Sequence, residues 1–141
     1  MLQIKNCLAD KGLFVASLFG GDNLLDFKKA CLHADMQNGG VVARITPYIE
    51  IKTMGMILQK IGFTMPVVDS EVVRVDYDDP MKLIYDLHHM GESNILTQTR
   101  KSFTSKKQLT NIAKQYKDLF ADHDGKITAK FEIINITAFN N

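Results

Sequence analysis

The sequence is poor in the features that mark several large classes of protein. Its 141 residues include two cysteines, three prolines and no tryptophan, and no apolar run reaches the roughly 20 residues that a membrane-spanning helix needs. The formal net charge is only +1, which argues against a basic surface that binds nucleic acid. Cys7 and Cys31 do not make a disulfide framework, and we expect both thiols to stay reduced in the cytoplasm.

Glycine-rich cofactor loops are also missing. No G-x-G-x-x-G follows a predicted strand: Gly20-Gly21 and Gly39-Gly40 are isolated pairs, and Met54-Gly-Met56 lies inside a predicted helix. Such loops need glycine because a backbone without Cβ atoms can approach a bound group closely. The sequence therefore predicts no cofactor site of this kind.

The most informative stretch that is present runs from Gly12 to Gly21. Its middle is apolar without polar alternation, which predicts a strand over Leu13–Phe19 that is buried on both faces. The Gly20-Gly21 pair ends this strand, and Asp22 or Asn23 can cap a following helix. In open α/β sheets such strand ends face the ligand crevice.

The remainder of the chain alternates between helical and extended patterns. Apolar side chains at helical spacing predict helices over 1–10, 23–37, 51–61, 80–90 and 105–119. Alternation predicts a strand at 73–77, with extended residues from 63 leading into it, and a final strand over 127–139. Asp79-Pro80 and Ser105–Gln108 are helix start signals, and Gly62 and Gly91 are stop signals. No linker or repeat divides the chain, which predicts one domain over residues 1–141.

Four stretches carry a resemblance to a known family: Gly12–Gly21, Ile45–Pro47, Ile61–Phe63 and Asp86–Asn94. They resemble the C-terminal half of a class I S-adenosylmethionine-dependent methyltransferase, of the malonyl-acyl-carrier-protein methyltransferase type. Within that type they are most similar to the branch of the mitochondrial arginine hydroxylases that assemble respiratory complex I, with their bacterial relatives. The resemblance covers essentially the whole chain.

The resemblance implies an α/β fold that is only part of a domain. It implies the C-terminal portion of a Rossmann-like methyltransferase sheet, with four to five helices and three strands, the last running antiparallel between the other two. It also implies S-adenosylmethionine as the family's cofactor. The parts of the family's domain that hold this cofactor lie on its first strands, which have no counterpart here. We therefore expect residues 1–141 to lack the N-terminal cofactor-binding half and not to bind the cofactor alone.

The candidate substrate-pocket residues follow the first strand and the end of the fourth helix: Phe19, Gly20, Gly21, Asp22, His88, Glu92, Ser93 and Asn94. The plainer alternatives are a tight Gly-Gly turn with a capping Asp22 and ordinary polar loop chemistry at 92–94. His88 and His89 point about 100° apart on a helix, and no cysteine or aspartate stands at ligand spacing. We expect no metal site and assign no catalytic residue.

Three functions are compatible with the sequence. The chain can be the substrate side of a methyltransferase that acts on a small carboxylate, an acyl carrier or a protein once the cofactor half is supplied. It can be hydroxylase-like, binding a respiratory-complex subunit and modifying an arginine. It can also be a non-enzymatic fragment. Because an unpaired apolar edge at Leu13–Phe19 is a template for association, we expect a homo-oligomer or an N-terminal partner chain at this strand.

Overall fold

The structure is a computed structural model that describes residues 1–37, 47–92 and 105–140. Within these ranges the chain forms five helices and three strands. In chain order they are α1 (Leu2–Cys7), β1 (Leu13–Phe19), α2 (Leu25–Gln37), α3 (Ile51–Lys60), β2 (Thr64–Tyr77), α4 (Pro80–His89), α5 (Lys106–Phe120) and β3 (Ile127–Phe139). The predicted α/β class is confirmed, and the architecture is that of a partial Rossmann-like fold.

The three strands form one sheet in the order β1-β3-β2. β3 pairs antiparallel with β1 along the whole of β1. Asn135 on β3 donates to Asp69 on β2 at 3.3 Å, and Thr128 on β3 donates to Asp76 on β2 at 2.7 Å. Since the residue numbers rise along one strand as they fall along the other, this pair is antiparallel as well. The last strand therefore runs antiparallel between the first two, as the resemblance implied.

The described residues divide into two compact units. The first unit holds α1, β1, α3, β2 up to Val73 and β3 from Phe131. The second unit holds α2, α4, α5 and the remaining residues of β2 and β3. No change of composition announces this division in the sequence, because two of the strands contribute residues to both units.

The core of the first unit lies between α3 and one face of the sheet. Met54 and Leu58 of α3 pack with Phe14 of β1 and Phe63, and with the even-numbered side chains of β3: Ile134, Ile136 and Ala138. The Phe14 and Phe63 rings are stacked with centroids 5.4 Å apart. Gly62, just after α3, has a φ of +83°, so the predicted left-handed stop is confirmed.

The opposite face of β1 is exposed, and the prediction that this strand is buried on both faces is wrong. Leu13 and Val15 are 53% and 64% exposed. An apolar run shows that both faces of a strand suit burial. Whether another element covers the outer face is decided by residues elsewhere in the chain. The residues of the strand itself therefore cannot predict it.

β2 is longer than the predicted strand at 73–77 and begins at Thr64. Pro66 lies within it, and a proline is tolerated there because β2 is at the edge of the sheet. The proline and the polar residues at 69–71 interrupt the alternation on which the prediction relied.

The second unit packs α5 against α2 and α4. Phe27 of α2 meets Tyr116 of α5 edge to face, with ring centroids 5.4 Å apart. Burial raises the pKa of Tyr116 to about 12, and its hydroxyl donates to the carbonyl of Thr128 at 3.4 Å. This contact fixes α5 against β3 inside the unit.

Both predicted helix starts in the second unit are confirmed. The Asp79 side chain accepts a hydrogen bond from the N–H of Met81 at 2.9 Å, with Pro80 at the first helical position of α4. Ser105 and Gln108 form a reciprocal capping box at the start of α5. These signals are readable because each depends on residues at most three positions apart.

Candidate functional site

The first group of candidate residues lies where β1 ends, in the first unit. Gly20 follows β1 and is buried, and its N–H donates to the carbonyl of Glu132 on β3 at 2.9 Å. Gly20 also makes a single parallel bridge with Ile49. The turn is therefore held by β3 on one side and by the residues that precede α3 on the other.

The side chain of Glu132 closes this turn. Its Oε2 accepts a hydrogen bond from the N–H of Asp22 at 2.7 Å. The carboxylate occupies the place that a Cβ on residue 20 would take, and the Glu132 Cγ would lie 2.9 Å from such a Cβ. Gly20 is thus required by a close contact within the chain. The space left by its missing side chain holds the chain's own carboxylate.

Aromatic and acidic side chains surround the turn within the same unit. The Phe19 ring lies 5.8 Å from that of Tyr48, edge to face, and 6.0 Å from that of Phe131. A Cβ on Gly21 would lie 3.1 Å from the Cγ of Glu50. Three acidic residues therefore adjoin the turn: Asp22, Glu50 and Glu132. Such a surface is electrostatically complementary to a positively charged group.

Asn23, the next residue, is fully buried, and within the described ranges its Oδ1 and Nδ2 have no hydrogen-bond partner. Its backbone N–H donates to the carbonyl of Gly20 at 3.1 Å. The prediction that Asn23 can cap the next helix is wrong, because α2 begins at Leu25 and Leu24 adopts a φ of +54°. An unpaired buried carboxamide destabilises a fold by about 1–3 kcal/mol.

The second group of candidates lies in the second unit, at the end of α4. His88 and His89 are exposed in its last turn, with ring centroids 5.8 Å apart, and the His89 ring lies 4.1 Å from that of Tyr85. His88 borders an open, largely apolar groove of about 590 Å³ on this unit. The other lining residues come from α4 and the first turns of α5: Asp79, Met81, Lys82, Ile84, Tyr85 and Leu109.

Glu92 is partly buried just beyond α4, and its N–H donates to the carbonyl of Leu87 at 3.0 Å. Ser93 and Asn94 lie outside the described residues. The consecutive candidates Phe19–Asp22 thus form one turn in the first unit, while His88 and Glu92 belong to the second. Among the described residues, no three histidine, cysteine, aspartate or glutamate side chains are grouped to hold a metal ion.

Sequence reasoning missed three residues that adjoin the turn: Tyr48, Glu50 and Glu132. It also did not predict that Asn23 is buried. Glu132 lies 112 positions after Gly20 along the chain. Only the register between β1 and β3 brings it to the turn. Alternation along a strand indicates which side chains share a face, but it does not specify what a side chain faces on the neighbouring strand.

Comparison with known proteins finds relatives that match most of this chain. No protein-family model matches the chain. The arginine hydroxylase NDUFAF5 of Dictyostelium discoideum mitochondria is 36% identical over 133 residues, which are 93% of this chain and 30% of that protein. Its human counterpart is 30% identical over 132 residues, 93% of this chain and 38% of that protein. The malonyl-[acyl-carrier protein] O-methyltransferase of Xylella fastidiosa is 29% identical over 135 residues, 96% of this chain and 44% of that protein.

The chain thus spans less than half the length of each of these three relatives. The resemblance read from the sequence is confirmed by both kinds of relative. Over almost its whole length, the chain is similar to one segment of arginine hydroxylases and of malonyl-[acyl-carrier protein] O-methyltransferases.

Proposed function

We propose that this chain is the substrate-side segment of an S-adenosylmethionine-dependent methyltransferase-like protein and is inactive without a cofactor-binding part. The main support for this proposal comes from the alignments with the three relatives above. These alignments include 93–96% of this chain but only 30–44% of each relative's length. S-adenosylmethionine, where it is bound, supplies the methyl group. The segment's task is then to bind and orient an acceptor and to exclude water from it.

We do not expect this chain to bind the cofactor alone. The sequence has no glycine-rich loop after a strand. At Gly20, where the described backbone does permit a close approach, the Glu132 carboxylate takes the space. The proposal therefore places S-adenosylmethionine on residues outside this segment and assigns no step of the transfer to side chains of this chain.

The turn after β1 supports acceptor binding. Phe19, Tyr48 and Phe131 provide an aromatic wall beside it, and the hydrogen bond from Asp22 to Glu132 fixes its backbone. A fixed turn at the carboxyl end of a strand holds a bound group in one orientation better than a free loop, because its conformation is set before binding.

A second candidate function is a hydroxylase-like protein that binds a partner protein through an arginine. Two observations favour it. Relatives at 30–36% identity are arginine hydroxylases by name, and the carboxylates of Asp22, Glu50 and Glu132 adjoin the turn. Carboxylates pair well with a guanidinium group, whereas they repel the anionic malonyl group.

One titration separates these functions. The ¹⁵N-labelled chain is titrated separately with malonyl-[acyl-carrier protein] and with a short arginine peptide, and the amide signals of Gly20, Gly21 and Asp22 are followed. The methyltransferase function predicts shifts with the malonyl carrier. The hydroxylase-like function predicts shifts with the peptide, weakened by Glu50→Gln but not by the control Glu71→Gln on β2. A folded chain that responds to neither acceptor contradicts both functions.

We also propose that the protein is located in the cytoplasm. Cys7 and Cys31 are free thiols, which supports a reducing compartment such as the cytoplasm. None of the helices in the described ranges is long and apolar enough to cross a membrane.

A further inference from the structure

The backbone N–H of Asp22 is a hydrogen-bond donor in the turn after β1. Bonds from backbone N–H groups are a common way for proteins to hold a carboxylate. Here the chain supplies the carboxylate itself: Oε2 of Glu132 accepts from Asp22 at 2.7 Å, which is short for a bond from a backbone N–H. An acceptor that carries its own carboxylate must therefore compete with Glu132 for this donor.

Contacts with Gly20 hold Glu132 in this position. The N–H of Gly20 donates to the backbone carbonyl of Glu132 at 2.9 Å. The Glu132 side chain fills the space that a Cβ on residue 20 would need. Gly20, Asp22 and Glu132 all belong to the first compact unit. The carboxylate of Glu132 therefore has a fixed place beside the turn.

Glu132 differs from the two other carboxylates at the turn. Asp22 and Glu50 are exposed, so water and salt screen their charges. Glu132 is partly buried, and the ion pairs among the described residues join other side chains. Its negative charge is therefore the most fixed and the least screened of the three.

We propose that Glu132 is a specificity-determining residue, which selects against acceptors that bring a carboxylate to this turn. The inference rests on the proposed function, because it takes the turn after β1 as the place where the acceptor binds. Two effects act in the same direction. Glu132 occupies the N–H of Asp22, and its charge repels a second carboxylate placed beside it. Neutral and cationic groups meet neither obstacle.

Glu132→Gln separates the charge of this side chain from its shape. Glutamine has nearly the same size, and its amide oxygen still accepts from the N–H of Asp22, so the turn should keep its conformation. In the ¹⁵N titration, this variant should lower the dissociation constant of malonyl-[acyl-carrier protein] about tenfold or more. Glu71→Gln is the matched control: it removes the same charge from an exposed position on β2 and should change that constant little.

Glu132→Ala tests the occupied donor. This variant leaves the N–H of Asp22 without its acceptor, so the malonyl carboxylate can take that place. On adding the malonyl carrier, the amide signal of Asp22 should move further than it does in wild type. An Asp22 signal that moves equally in wild type and in Glu132→Ala would overturn the inference, because Glu132 would not be blocking this donor.

The arginine peptide keeps this inference apart from the proposed function. Suppose that wild type responds to the peptide but binds the malonyl carrier as tightly as Glu132→Gln does: the function then stands and the inference is wrong. Equal strengthening by Glu132→Gln and Glu71→Gln also overturns the inference, because the net charge of the chain would then set the affinity. If neither acceptor moves the signals of Gly20–Asp22 in wild type or in Glu132→Gln, both proposals are wrong.

Discussion

Gly20→Ala should lower the free energy of unfolding by about 1–3 kcal/mol. The new Cβ overlaps the Glu132 carboxylate, so the carboxylate must leave the N–H of Asp22, to which it is bonded at 2.7 Å. The end of a glutamate side chain can rotate, and the cost is therefore mainly that of the lost hydrogen bond and the unpaired N–H. Urea unfolding of both proteins measures the difference.

Gly55→Ala is the matched control and should change stability in the opposite direction. Gly55 lies inside α3, and a Cβ there meets nothing within 4 Å. Alanine is favoured over glycine inside helices by about 0.5–1 kcal/mol. The Glu132→Ala background tests the cause: Gly20→Ala should be nearly neutral there. An equal cost in both backgrounds would show that Glu132 is not what excludes a side chain at position 20.

Asn23→Leu should raise the free energy of unfolding by about 1–3 kcal/mol. The carboxamide is fully buried and lacks a partner among the described residues, so folding removes its contacts with water without replacing them. Leucine keeps the branched shape and removes the polar atoms. Thermal and urea unfolding should both report the gain.

Asn140→Leu is the same change at a buried asparagine that is bonded. Asn140 is 9% exposed, and its Nδ2 donates to the carbonyls of Leu8 and Ala9 at 2.9 and 3.3 Å. Removing it leaves both carbonyls without this donor and should destabilise the fold by about 1–3 kcal/mol. If Asn23→Leu destabilises the chain as much as Asn140→Leu does, the prediction is wrong. That result would mean that the Asn23 carboxamide makes a stabilising hydrogen bond.

The elements that the sequence predicts well depend on near neighbours along the chain. The capping box at Ser105, the Asp79-Pro80 start and the Gly62 stop each involve a few consecutive residues, and all three are present. The strand over Ile127–Phe139 was predictable because buried and more exposed residues alternate in both of its halves, on either side of a change of phase at residues 132–133. The start of β2 was not predictable, because Pro66 argues against a strand. The proline is tolerated only because β2 lies at the edge of the sheet, which its own residues do not indicate.

The candidate site divides in the same way. Phe19–Asp22 were identifiable because a strand ends there at a glycine pair. Glu132 and Glu50 come to the turn only through strand register and the bridge at Ile49, and neither is specified by local sequence. Asn23 looked like a helix cap, but the left-handed Leu24 separates it from α2. The kind of relative and the order of the strands were accessible only through the resemblance to methyltransferases.

The most direct measurement is a calorimetric titration of S-adenosylmethionine into the purified chain, with the Xylella fastidiosa methyltransferase as the positive control. A substrate-side segment without a cofactor-binding part predicts no saturable heat at sub-millimolar cofactor, while the control binds. Saturable binding by this chain alone would contradict the account, because it would mean that these residues, in one copy or two, do form a cofactor site.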